Sequence, residues 1–133
     1  MLSGRLFHLR YDMVQHRISK AFHTLSEKLI KEHWDFYPTS GSRIGQHQYD
    51  GRLPDLSPAQ TTRRISELQS GLNELPKVNT EALSDADRMS YGMLDLFLKR
   101  ELFVLSDLKP LENNPMRHTG YLNVSGYILR DYA

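Results

Sequence analysis

Tyr11, Val14, Ile18, Phe22, Leu25, Leu29 and Phe36 recur at helical spacing and fall on one face of a single long helix. The opposite face carries His16, Lys20, His23, Glu27 and Lys31, with Glu27 and Lys31 placed as a favourable i,i+4 pair. Pro38 disfavours helical geometry at Tyr37, so the helix is expected over about residues 11–36. At a rise of 1.5 Å per residue that is ~39 Å of one-sided helix. Such a face needs other elements to bury it, which makes a helical bundle the natural solution.

Two more helices announce themselves. Ser57-Pro58-Ala59-Gln60 has the form of a capping box with Pro at the first helical position. The helix it opens carries Ile65, Leu68, Leu72 and Leu75 in a narrow stripe and ends at Pro76. Ser84-Asp-Ala-Asp87 caps a third helix, expected to run to about residue 111. Between Met93 and Leu105 its only polar residues are Asp95, Lys99, Arg100 and Glu101. A helix apolar nearly all round is buried on most sides, and two amphipathic neighbours can hardly cover it. Either the chain after Asn113-Asn114-Pro115 folds back over it, bringing Met116, Tyr121, Leu122 and Ile128, or a partner does. Tyr127-Ile-Leu-Arg-Asp-Tyr-Ala133 stops inside a further helical pattern.

Residues 37–56 lack periodicity and are punctuated by Gly41, Gly45, Asp50-Gly51 and Pro54. Tyr37, Ile44, Tyr49, Leu53 and Leu56 are too apolar for a free linker, so the loop is expected to pack against the helices. Residues 1–133 are thus read as one all-α domain. Its expected architecture is a bundle of three long helices with a short C-terminal helical segment and one long packed loop.

Charge removes several functions. Lys plus Arg (17) balances Asp plus Glu (16), so the clustered basic surface that nucleic acid requires is missing. The pairs Arg63-Arg64 and Lys99-Arg100 read as solvated helix faces. The absence of cysteine rules out disulfides, thiolate metal sites and cysteine nucleophiles. No stretch approaches the ~20 apolar residues of a membrane span, and the start does not read as a secretory leader. A cytoplasmic location is the expectation.

The histidines do not assemble into a catalytic motif. His16 and His23 lie two turns apart, ~10 Å, too far to share a metal, and read as solvated surface residues. His8, His33, His47 and His118 are isolated in sequence. None is followed by Glu, so a His-Glu-x-x-His helix is missing, as are a phosphate loop and a nucleophile elbow. Asp50 and Asp55 flank a turn, where Asp is used for local hydrogen bonding.

Several segments in order resemble one family. They are Pro38-Thr-Ser, then Gly45-x-His47-x-Tyr49-Asp50-Gly-Arg-Leu-Pro-Asp55-Leu-Ser57-Pro58, then Leu83-Ser-Asp-Ala-Asp-Arg88. Glu101-Leu-Phe, Asn114-Pro115 and Tyr127-Ile-Leu-Arg-Asp-Tyr follow. Together they resemble the N-terminal part of the bacterial domain-of-unknown-function family 885, all-helical proteins similar to zinc metallopeptidases. The resemblance implies a longer parent whose zinc motif lies downstream, and no cofactor in this segment. It also implies that the turns around residues 45–58 and 114–121 approach a substrate cleft. The candidate cleft-lining residues are then His47, Tyr49, Asp50, Asn114 and Tyr121. The same residues suit plain turn and packing duties.

The expected function is a non-catalytic N-terminal helical segment, scaffold or cleft wall, of a metallopeptidase-like, hydrolase-type protein. The alternative is a freestanding helical protein–protein interaction module. The expected partners are the rest of the parent chain, or a second copy meeting the third helix, and neither nucleic acid nor a membrane.

Overall fold

The computed structural model describes residues 2–117, with side-chain environments from residue 13 onward. It is all-α: five α-helices and no strand among the described residues. Helix α1 spans Leu2–Phe36, α2 Pro38–Arg43, α3 Pro58–Glu74, α4 Asp85–Phe103 and α5 Pro110–Asn113. Three of them, α1, α3 and α4, are long and form the bundle. The C-terminal segment proposed for residues 127–133 lies outside the described residues.

The core follows the stripes. Phe22, Leu29 and Phe36 of α1, Leu68 of α3 and Leu94 and Leu98 of α4 meet in one buried cluster, which Leu75, Leu83 and Leu105 extend beyond the helix ends. The stripe of α1 is used from its middle onward, since Val14 is half exposed. Its helix starts at Leu2, earlier than the periodicity suggests, because helical propensity carries the turns before the stripe begins. Helix α3 packs tightly against both neighbours at Gly71. A Cβ there would stand 2.7 Å from Leu29 Cδ2 and 3.4 Å from Leu98 Cδ1.

The caps behave as their sequences predict. Ser84 Oγ accepts from the Asp87 amide at 3.1 Å, and Ser57 Oγ from the Gln60 amide at 3.5 Å. Asp55 Oδ1 accepts from the Ser57 amide, the local role expected of it.

Four expectations are corrected. Segment 37–56 is not irregular throughout. Pro38, locked in φ, opens α2 as its first residue, and His47–Tyr49 forms a 3₁₀ turn. That segment packs through Tyr49, which is buried, and through Tyr37 and Leu56 at the edge of the core. Ile44 and Leu53 instead remain in solvent.

The third long helix ends at Phe103 rather than near residue 111. One wide π turn, Val104–Leu108, follows, and Lys109 then adopts the left-handed region at φ 44°. Pro110 is the physical reason, because it disfavours right-handed helical geometry at the residue before it.

Arg64 is not solvated. It is 1% exposed, among the most buried side chains of the described chain. Nor is α4 buried on most sides by the described residues. They bury one strip, Leu94, Leu98, Glu101 and, in the turn that follows, Leu105, and leave Met89, Met93, Leu96 and Phe103 exposed.

Candidate functional site

The sequence-derived cleft residues sit in two separate places. His47, Tyr49 and Asp50 share the 3₁₀ turn after α2. His47 Nδ1 donates to Asp50 Oδ2 at 2.8 Å. That bond, and a second from the Ser42 hydroxyl, hold the Asp50 carboxyl below its ordinary range. Asp50 is therefore an anion committed to its own turn. Tyr49 lies edge-on to Trp34, with ring centroids 6.1 Å apart, and against Gly41. The Arg52 guanidinium stands 5.1 Å from its ring centroid.

Burial first, and the Asp35 carboxylate second, push the Tyr49 phenol up, so it stays neutral at physiological pH. Asp35 itself is pushed up by burial. The Lys31 ammonium at 2.6 Å, with Arg52 and the Tyr49 hydroxyl, outweighs this and leaves it below its usual range. Asn114 is elsewhere, capping α5, and its Oδ1 accepts from the Met116 amide at 3.0 Å. Tyr121 lies outside the described residues.

A different constellation lies where α3 meets α4, near the C-terminal ends of α1 and α4. Arg64 Nε donates to Glu101 Oε1 and Arg64 Nη2 to Glu101 Oε2, both at 2.9 Å. This is the bidentate fork that a planar guanidinium makes with a carboxylate. Arg64 Nη1 reaches Glu67 Oε2 at 3.5 Å. From α1, His33 Nδ1 stands 3.1 Å from Glu101 Oε2. An ionised carboxylate only accepts, so His33 carries its proton on Nδ1. Burial drives the Glu101 carboxyl up, yet the bonds from His33 and Arg64 outweigh it and set it below the usual range.

At its N-terminal end α4 is tied to α1 by Asp87. Its carboxylate takes the Ser19 hydroxyl and His23 Nε2, each at 2.8 Å. His23 is thus largely exposed, as its place on the polar face implies, but it is not without a partner.

Beside this cluster runs an open groove between α1 and α4. A cavity of about 390 Å³ is walled by Ile30, Trp34, Met93, Leu94 and Phe97. A second, of about 180 Å³, adjoins it across the shared residues His33 and Phe97, and adds Tyr37, Arg100 and Arg117. One stretch is apolar and the other basic. Sequence patterning hides both, because α1 and α4 each supply half of the walls and no local signal links residue 30 to residue 93. A larger cavity, of about 470 Å³, lies between α3 and the turn after α4 and includes Ile65, Leu105 and Pro110.

The zinc chemistry of metallopeptidases finds no fit in these residues. No group of three His, Asp or Glu side chains among the described residues is arranged to hold a metal. The most suggestive pair, His33 and Glu101, has its carboxylate already gripped by Arg64. No helix of the described residues is long and apolar enough to cross a membrane. No protein family, curated protein or solved structure matches the chain.

Proposed function

We propose that the chain is a non-catalytic helical segment that works by packing against a further helical body, as N-terminal scaffold or cleft wall of a metallopeptidase-like protein. The observation that carries the packing role is the exposed face of α4. Met89, Met93, Leu96 and Phe103, spaced i, i+4, i+7 and i+14, are each more than half exposed. At 100° per residue they centre roughly 150° around the axis from the buried strip. The helix therefore presents two apolar faces, and the described residues bury one. Exposed apolar surface of this extent marks an interface.

Polar chemistry points the same way. Glu101, Asp87, Asp35 and Asp50 are each engaged by neighbouring donors, so the groups best placed for acid–base work serve to hold helices and turns together. The metallopeptidase context rests on the ordered motifs around residues 38–58, 83–88 and 114–115. The reading frame downstream of Ala133 tests it. A His-Glu-x-x-His helix in that frame supports the proposal, and a stop codon there favours a freestanding interaction module.

The packing role has its own test in solution. The chain alone is expected to self-associate at tens of micromolar and to bind an apolar fluorescent dye. Leu96→Glu with Phe103→Glu should abolish both. A wild-type monomer at high micromolar concentration that leaves the dye dark removes the packing role.

A further inference from the structure

The groove between α1 and α4 has a polarity that specifies what fits it. Its apolar stretch is walled by Ile30, Trp34, Met93 and Phe97, with Met93 68% exposed. The adjoining stretch carries Arg100 and Arg117 beside His33. Glu101 also lines that end, but the Arg64 fork and His33 already neutralise it. Lys99, next along α4, is paired with Asp95 at 2.7 Å. Arg100 and Arg117, by contrast, face no carboxylate partner among the described residues.

We propose that this groove docks an amphipathic helix of another polypeptide segment, with a stripe of apolar side chains seated between α1 and α4. Carboxylates at one end of that helix pair with Arg100 and Arg117. The inference rests on the packing role proposed above and names the partner's chemistry. An open trough made of two adjoining cavities along α1 and α4 favours a helix, whose anchors repeat at i, i+3, i+4 and i+7. Charge selects among helices: two unpaired guanidiniums reward planar carboxylates through bidentate bonds. A second copy seated in the groove itself would set Arg100 and Arg117 against like charge, so the self-association expected above runs through Leu96 and Phe103 instead.

The test is a displayed library of 18-residue helical peptides, selected against the full chain. Enriched peptides should combine an apolar stripe with Asp or Glu at one end. Met93→Glu should weaken their binding at least tenfold. Arg100→Glu with Arg117→Glu should transfer the preference to peptides ending in Lys. All three positions are largely exposed, so the variants should keep the wild-type helical circular dichroism. Peroxide oxidation of Met93 should be rapid in the free chain and slow in the complex.

Enriched peptides without acidic ends, or indifferent to these substitutions, overturn the groove but leave packing elsewhere on α4 standing. No enrichment at all likewise overturns the groove, while the self-association test decides the packing role. Slow oxidation of Met93 in the free monomer shows that the chain fills the groove itself, and also overturns the proposal.

Discussion

The guanidinium of Arg64 grips the carboxylate of Glu101 through two bonds of 2.9 Å, between α3 and the C-terminal part of α4. Arg64 is 1% exposed and Glu101 9%. At that depth each charge depends on the other, because a lone buried ion loses its hydration without compensation. Arg64→Ala or Glu101→Ala is therefore expected to destabilise the fold by about 3–5 kcal/mol. The double replacement Arg64→Met with Glu101→Leu should cost much less than either single change, since it leaves no orphaned charge. Urea titration of the three variants checks the ordering, and additive losses contradict it.

The same pair contributes to the loss of stability in acid. Glu101 titrates below its ordinary value in the folded chain, so the unfolded chain binds its proton more readily. Its contribution to stability is present above the ordinary glutamate range. It is lost as pH falls through the lowered folded value. Stability should therefore drop from about pH 4.5 downward, and the Glu101→Gln variant should show a shallower drop over that interval. Equal acid slopes for the two proteins contradict the assignment.

Tyr49 packs on Gly41 within segment 37–56 and on Trp34 of α1, which fastens the segment to that helix. A Cβ at Gly41 would stand 2.7 Å from Tyr49 Cδ2, on a ring that is 2% exposed. A ring cannot yield as a flexible chain end can, so Gly41→Ala should destabilise by about 1–3 kcal/mol. Gly45→Ala is the comparison. Its Cβ meets nothing within 4 Å, and any loss there reports only the φ of 84°. Thermal melts should rank Gly41→Ala as the more damaging.

Lys109 holds a left-handed conformation at φ 44°, which a side chain adopts at a cost of about 1–2 kcal/mol. Pro110 disfavours the right-handed alternative, and the Lys109 amide donates to the Val104 carbonyl at 3.0 Å to close the wide turn. Lys109→Gly should raise stability by about 0.5–1 kcal/mol, the relief being partly offset by a freer unfolded chain. Lys109→Val should lower it. A destabilised glycine variant means that the Lys109 side chain contributes more than the strain removes.

The sequence by itself determined the local structure. Periodic apolar residues at 22, 29 and 36, and at 68 and 75, mark core faces, because a helix converts spacing into direction. Ser57 with Pro58, and Ser84, mark starts, because the first amides of a helix need acceptors and the proline ring fixes φ. Tertiary structure alone decided which polar residues go inside. Arg64 sits beside Arg63, and His33 has no carboxylate at metal-ligand spacing, so nothing local distinguishes them from solvated neighbours. Arg64 is buried, and His33 partly so, only because Glu101, 37 residues on from Arg64, arrives opposite both. The groove has the same origin. Residues 30 and 93 become one wall through the packing of α1 on α4, and pair distances across helices are not encoded in the spacing along either one.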